Sequence, residues 1–147
     1  MENVIITIAR QHGSGGRLIG ECLAKKMGIA YYDKELISLT AKKTGFALDF
    51  VKEVEEKQTA SSLYSIYAAA TVPSVYEQAR NAQFAVIREL AEQGPCVIVG
   101  RAADCILKNF PRSVHVFIHA PLDERIRRAR DDYKEPMDNP ERALQKK

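Results

Sequence analysis

Glycines and positive charges gather in one short stretch near the N-terminus, RQHGSGGR at residues 10–17, which we call the glycine loop. An apolar run precedes it and a helical pattern follows it. A glycine-rich turn between a strand and a helix lets successive backbone N–H groups point inward, and the helix N-terminus adds partial positive charge. The stretch therefore predicts a phosphate site formed by Gly13, Ser14, Gly15 and Gly16. A tight strand-to-helix turn with an exposed arginine is the alternative.

The glycine loop departs from the strict P-loop pattern G-x-x-x-x-G-K-[ST]. With Gly15 as the second glycine, Arg10 replaces the first glycine, Gly16 stands at the lysine and Arg17 at the hydroxyl position. A shift of one residue places Arg17 at the lysine but Leu18 at the hydroxyl position. The lysine of a P-loop neutralises phosphate charge. Arg17 is our candidate for that missing charge, because a guanidinium binds phosphate through two parallel hydrogen bonds.

The hydroxyl that binds Mg²⁺ in a P-loop is missing as well. Arg17 cannot ligate a metal ion, so Mg²⁺ would be held through water or by Ser14. A dinucleotide-binding fold competes for the same stretch, since it requires G-x-G-x-x-G and an acidic residue about 20 positions on. Residues 13–15 match its first part and Asp33 its last, but Leu18 stands at the third glycine position.

The elements that must position this loop alternate between strands and helices. Continuous apolar runs predict strands at residues 4–9, 29–32, 96–100 and 113–120. Helical patterns cover residues 17–27, 47–57, 73–94, 102–108 and 122–133. A further helix runs from Asp33, its possible N-cap, to Lys43, and another starts near residues 139–140. Residues 58–72 have no clean period and predict a flexible connector. This alternation predicts an α/β fold with a parallel sheet.

Ligands of parallel sheets bind beyond the carboxyl ends of the strands. The first predicted strand is followed there by the glycine loop, the second by Asp33, the third by Arg101 and the fourth by residues 120–121. A charged residue directly after a buried strand has few structural explanations, which favours a functional role for Arg101. Asp33 is ambiguous, since it could bind a ligand or only cap the next helix.

The helix predicted at residues 122–133 is rich in arginine. Arg125 and Arg128 lie three residues apart and share one helix face. Phosphoryl transfer needs positive charge around the moving group, so both are candidate catalytic residues. The alternative is a pair of ordinary surface contacts, Glu124 with Arg128 and Arg127 with Asp131.

Three segments together resemble one family. The segments ITIARQHGSGGRLIGECLAKKMGIAYYDKELI, GPCVIVGRAADCIL and PLDERIRRAR are similar to the cytidylate kinase-like proteins, a branch of the nucleoside monophosphate kinases. The similarity extends from about residue 4 to about residue 130, except for residues 50–75, and its motifs RQxGSGGR, YYDKELI and VIVGRxAD are specific.

The resemblance implies a role for each matched residue. Residues 13–17 match the loop that binds the ATP phosphates, and Asp33 matches an acidic residue near the acceptor nucleotide. Arg101 matches the arginine of a Gly-Arg-Asp motif that holds the monophosphate, with Asp104 as the nearest acid because Ala102 follows Arg101. The arginine-rich helix matches the entry to a mobile lid at residues 122–140.

The resemblance also implies a three-layer P-loop kinase-type fold, a single domain over residues 1–147. Such a sheet has five parallel strands, and only four are visible in the sequence. We therefore expect a fifth strand beyond the C-terminus and a chain that is C-terminally incomplete.

Composition narrows the class of protein. A net charge of +3 over 147 residues is too weak for the dense basic face of a nucleic-acid binder, but it suits a protein that holds phosphorylated small molecules. Three widely spaced cysteines without a CxxC pair indicate a reducing compartment, with Cys96 as a buried thiol. His115 and His119 share one strand face, where a structural role is favoured over a metal site. The sequence contains no signal peptide and no transmembrane run, so we expect a cytoplasmic protein without membrane partners.

The resemblance, together with the glycine loop and the arginines, implies a transferase that moves the γ-phosphoryl group of ATP, with Mg²⁺, to a nucleoside monophosphate, with CMP or dCMP as the first candidates. Small-molecule nucleotides are the expected ligands, and the oligomeric state is left open. A nucleotide-binding protein of the same fold without catalysis is the first alternative. A dinucleotide-binding oxidoreductase is the second.

Overall fold

The computed structural model describes residues 4–45 and 75–133. Helices predicted at residues 47–57 and from 139, and the connector at 58–72, lie outside the described residues, and the lid region is described only to residue 133. The described elements, in chain order, are β1 (Ile5–Arg10), α1 (Gly16–Met27), β2 (Ala30–Tyr32), α2 (Glu35–Thr44), α3 (Val75–Gln93), β3 (Cys96–Val99), α4 (Ala103–Ile106), β4 (Ser113–Ile118) and α5 (Leu122–Asp131).

The described strands form a four-stranded sheet in the order β2-β3-β1-β4, and every pairing is parallel. Ile5 pairs with Cys96 of β3 on one side and with Ser113 of β4 on the other. The central strands β1 and β3 carry the β-branched runs, and Ile5 to Ile8 and all of β3 are buried. The predicted α/β class with a parallel sheet is therefore confirmed.

β4 is less buried than its apolar sequence suggests. Val114 is 50% exposed and Phe117 is 61% exposed, because β4 lies at the edge of the described sheet. The Thr7 hydroxyl lies 2.7 Å from His115 Nδ1, and the Ser113 hydroxyl lies 3.1 Å from His115 Nε2. Both ring nitrogens of His115 are therefore engaged within the sheet, as a structural role requires.

Helix α1 packs across one face of the sheet and sets the position of the glycine loop. The core on this face consists of Ile6, Ile8, Ala24, Val97 and Val99. A Cβ on Gly20 would stand 2.9 Å from Val99 Cγ2 and 3.1 Å from Ile8 Cδ1. The helix therefore lies so close to β1 and β3 that only glycine fits at this point. Gly28 caps the C-terminus of α1, since it adopts φ 66° and its N–H bonds to Lys25 O.

Asp33, which the sequence offers as a possible N-cap, does not stand at the N-cap position of α2. The residue there is Lys34, and its side chain forms no capping hydrogen bond. The Asp33 side chain pairs with Arg17 instead.

The contacts divide the chain into two compact units, one of residues 1–33 and 91–147 and the other of residues 34–90. In the second unit Leu36 and Thr40 of α2 are buried, as are Ile87 and Leu90 of α3. Ile87 and Leu90 thus belong to the buried side of α3. The Lys43 ammonium forms an ion pair with the Glu89 carboxylate.

Candidate phosphate site

The glycine loop connects β1 to α1 through two left-handed glycines. Gly13 adopts φ 77° and Gly15 adopts φ 86°, conformations that other residues reach only at a cost of about 1–2 kcal/mol. Residues 13–16 are all buried, and α1 begins at Gly16. The loop thus places the N-terminus of a twelve-residue helix at the carboxyl end of the central strand. This arrangement favours an anion.

Ser14 is the polar side chain inside this loop. The residue is only 6% exposed, and its Oγ is buried with no hydrogen-bond partner among residues 4–45 and 75–133. A buried hydroxyl without a partner costs about 1–3 kcal/mol. A phosphate oxygen accepting a bond from Ser14 would remove this cost.

Two arginines of α5 reach the loop from the far end of the sequence. Arg125 Nε donates to His12 O at 2.7 Å, and Arg128 Nη1 donates to Gly13 O at 2.7 Å. A Cβ on Gly13 would stand 2.5 Å from Arg125 O, and one on Gly15 would stand 3.4 Å from Arg128 Cζ. Both predicted lid arginines therefore lie directly against the loop, and two of its glycines face them.

The surface pairs predicted on α5 are wrong. Glu124 pairs with Arg127 at 3.1 Å rather than with Arg128, and Asp131 pairs with Arg130 at 2.7 Å rather than with Arg127. Arg128 Nε lies 3.8 Å from Asp132 Oδ2. The hydrogen bond from Arg130 lowers the pKa of the Asp131 carboxyl. The difference arises because Arg128 turns toward the glycine loop, which leaves Glu124 to its other neighbour.

Arg17 points to Asp33 in this structure. Arg17 Nε lies 3.3 Å from Asp33 Oδ2, and Asp33 is only 4% exposed. The Tyr31 hydroxyl donates to Arg17 O at 3.4 Å. Burial, together with the Asp33 charge, raises the pKa of Tyr31 to about 12, so its hydroxyl stays protonated at neutral pH. The ion pair fixes the start of α1 to the end of β2.

The turn after β3 is strained. Gly100, Arg101 and Ala102 adopt φ angles of 75°, 58° and 52° in succession. Two of them are not glycine, and each such residue costs about 1–2 kcal/mol. Strain of this kind clusters at functional sites. The turn holds Arg101 half-buried at the carboxyl end of β3.

Asp104 lies one step beyond this turn, in the first turn of the short helix α4. It is half-buried, and its Oδ2 lies 3.8 Å from Cys105 Sγ. Asp33, Arg101 and the glycine loop follow three strands that end at one edge of the sheet, as the sequence predicts. Asp104 is offset from that edge by the turn.

Sequence reasoning did not count Arg10 among the site residues. A Cβ on Gly16 would stand 2.7 Å from Arg10 Cβ, and one on Gly100 would stand 2.9 Å from Arg10 Cζ. The Arg10 side chain therefore runs from the start of α1 to the turn after β3. The signal in the sequence was a charged residue at the first glycine position of the P-loop pattern.

The described residues fit a phosphate chain better than a metal bound by protein groups alone. Within them, no cluster of three or more histidine, cysteine, aspartate or glutamate residues could hold a metal ion. Mg²⁺ in nucleotide sites takes most of its ligands from phosphates and water, with one or two from protein. The buried Ser14 hydroxyl is suited to such a minor contribution. No helix in the described ranges is long and apolar enough to cross a bilayer.

Comparisons with known proteins agree with this geometry. A sequence model of the cytidylate kinase-like family matches residues 5–147. No curated protein matches the chain. The crystal structure of an uncharacterized protein from Eubacterium ventriosum is 26% identical, with a TM-score of 0.67, and the match covers 98% of this chain and 70% of that chain. The resemblance inferred from the motifs is therefore confirmed.

Proposed function

We propose that this chain, which belongs to the cytidylate kinase-like family, transfers the γ-phosphoryl group of ATP to a nucleoside monophosphate, with CMP or dCMP as the first candidates. One observation carries the proposal. A buried glycine loop holds an unsatisfied Ser14 hydroxyl at a helix N-terminus, and two arginines bind the loop carbonyls. The anionic oxygens of a phosphate would accept a hydrogen bond from Ser14 and would be stabilised by the helix N-terminus and by the charge of the two arginines.

The donor phosphates would lie on the backbone amides of Gly13, Ser14, Gly15 and Gly16, with Arg17 as a further donor contact. Arg17 would have to leave Asp33, which it contacts at 3.3 Å, to reach a phosphate. Ser14 would help to hold Mg²⁺, which would supply additional charge neutralisation when ATP is bound.

Arg125 and Arg128 would neutralise the charge that develops on the transferring group. Phosphoryl transfer demands positioning and electrostatic stabilisation rather than covalent help from the protein. Both guanidinium groups are held against the loop, so little reorganisation is needed for them to face a phosphate. They combine positive charge with a fixed position next to the donor site.

The acceptor nucleotide would lie beyond β2 and β3. Arg101 would bind its phosphate, because it leaves the sheet beside the loop and is held by a strained turn. Asp33 and Asp104 would contact the nucleoside. The proposed contact of Asp33 with the nucleoside has less support, because its carboxylate is paired with Arg17 in this structure.

The test is ADP production from Mg-ATP with CMP, dCMP, UMP, AMP, GMP or no acceptor. The matched variants are Arg128→Met, which removes the guanidinium over the loop, and Arg127→Met, which removes a neighbouring guanidinium paired with Glu124. We expect turnover with one acceptor, a loss of about 100-fold or more in Arg128→Met, and wild-type turnover in Arg127→Met. Equal turnover in both variants would count against the proposed role of Arg128.

A second candidate is nucleotide binding without turnover. The observation that favours it is the Arg17–Asp33 ion pair, which holds the expected substitute for the lysine away from the loop. This candidate predicts that ATP binds but that no acceptor yields ADP. A dinucleotide-binding oxidoreductase, which would bind NAD(P), has less support. Its fold requires a third glycine where the helix packs closely on the strand, whereas Leu18 at that position is 48% exposed on α1.

A further inference from the structure

The Arg10 side chain passes two glycines, Gly16 and Gly100, at positions where an added Cβ would collide with it. Its Cβ and Cγ pass Gly16, where an added Cβ would stand 2.7 and 3.1 Å away. Its guanidinium lies against Gly100, where an added Cβ would stand 2.9 Å from Cζ and 3.3 Å from Nη2. The side chain thus extends from β1 beneath the first turn of α1 and ends beside the turn after β3.

The charge of Arg10 has no counterpart among the residues that the structure describes. Arg10 is half-buried, and none of the ion pairs among residues 4–45 and 75–133 involves it. The other arginines near the loop are engaged, Arg17 with Asp33 and Arg128 with Gly13 O and Asp132. Partial burial of a charge is unfavourable unless the charge is paired, so this guanidinium suits an anionic ligand.

The position of Arg10 in the sequence points to the same ligand. It occupies the first glycine position of the P-loop pattern, in a loop where the lysine position holds Gly16. Compared with the P-loop pattern, the glycine loop therefore lacks a cation at position 16 and carries an additional one at position 10. The Arg10 guanidinium lies against Gly100, the residue that precedes Arg101 in the turn after β3.

We propose that Arg10, rather than Arg17, supplies the charge that a P-loop lysine supplies, by binding the phosphate chain of ATP on the β3 side of the loop. This inference rests on the proposed function, since it needs a nucleotide phosphate in the loop. It assigns a positioning role to Gly16 and Gly100 as well, because an added Cβ at either position would collide with the Arg10 side chain.

The test is calorimetric titration of the full chain with Mg-ATP. Arg10→Met is expected to weaken ATP binding by about 10- to 100-fold, as for the loss of a charged hydrogen bond, and Arg10→Lys by less. Arg88→Met, an exposed arginine on α3, is the matched control and should bind as the wild type does. Arg17→Met is the rival variant and should lose less affinity than Arg10→Met.

A second pair of variants keeps the arginine in place. Gly100→Ala and Gly28→Ala impose similar backbone strain, at φ 75° and 66°, but only at position 100 would the new methyl meet Arg10. We expect weaker ATP binding in Gly100→Ala than in Gly28→Ala, even if Arg10→Met fails to fold.

The outcomes separate the two proposals. If the wild type binds ATP and Arg10→Met binds it equally well, or Arg17→Met loses more affinity, the role of Arg10 is overturned while the proposed function stands. If the folded wild type binds no ATP, the proposed function itself fails, and the role of Arg10 fails with it.

Discussion

Replacing Gly13 by alanine should separate α5 from the glycine loop. The new Cβ would stand 2.5 Å from Arg125 O and 3.0 Å from Arg125 Cα, and both are backbone atoms that cannot rotate away. Gly28→Ala is the matched control, because Gly28 has a similar φ of 66° with nothing within 4 Å of the added atom. The two variants share the left-handed strain and differ in the collision.

The strain alone should lower the free energy of unfolding by about 1–2 kcal/mol in Gly28→Ala. Gly13→Ala should lose a further 1–3 kcal/mol, roughly the cost of overpacking a filled site. Urea unfolding followed by circular dichroism measures both values, and ATP titration should show weaker binding only in Gly13→Ala. Equal losses of stability and equal affinities in the two variants would refute the contact between α5 and the loop.

Three further predictions concern separate features of the fold. Ala102→Gly should raise the free energy of unfolding by about 0.5–1 kcal/mol, because glycine adopts φ 52° without strain, and a lower value in urea unfolding would contradict the strain. In a double-mutant cycle, Arg17→Met and Asp33→Asn should show a coupling of about 1–2 kcal/mol, whereas additive losses would mean that their 3.3 Å contact is energetically silent. Burial raises the pKa of Cys96 from 9.0 to about 11, so a thiol reagent at pH 8 should label the two exposed cysteines and reach Cys96 only after unfolding. Because the unfolded thiol ionises first, the raised pKa of Cys96 should also lower the free energy of unfolding as pH rises from 9 to 11. Rapid labelling of three thiols in the native protein would contradict the burial of Cys96.

Much of the fold could be predicted from local patterns. The runs of β1 and β3 are apolar and rich in β-branched residues, and β3 is bounded by Pro95 and Gly100, so they indicate buried parallel strands without further information. The conformation of the glycine loop could be predicted as well, because its positive φ angles occur at glycines, which are visible in the sequence. The placement of Asp33 and Arg101 at one edge followed from the parallel arrangement alone.

The rest depended on contacts between distant residues. The bonds from Arg125 to His12 and from Arg128 to Gly13 join residues 113 and 115 positions apart, and no local spacing reveals which carbonyl an arginine reaches. Asp33 fitted the pattern of an N-cap, yet Lys34 stands at that position and the Asp33 carboxylate pairs with Arg17. Local rules rank such options, but tertiary contacts decide between them.

Two other features gave no local signal. The left-handed turn at Arg101 and Ala102 could not be predicted, because neither residue is glycine. The exposure of β4 follows from its place at the edge of the described sheet, which depends on strand order rather than on composition.

If the γ-phosphoryl group of ATP moves to a nucleoside monophosphate, ³¹P NMR of Mg-ATP with CMP follows that group directly. We expect ADP and the nucleoside diphosphate to accumulate in equal amounts without inorganic phosphate. If CMP gives no product, dCMP, UMP, AMP and GMP are tested in the same way. ATP that binds but remains unchanged with every acceptor, or that yields only inorganic phosphate, would contradict the proposed function.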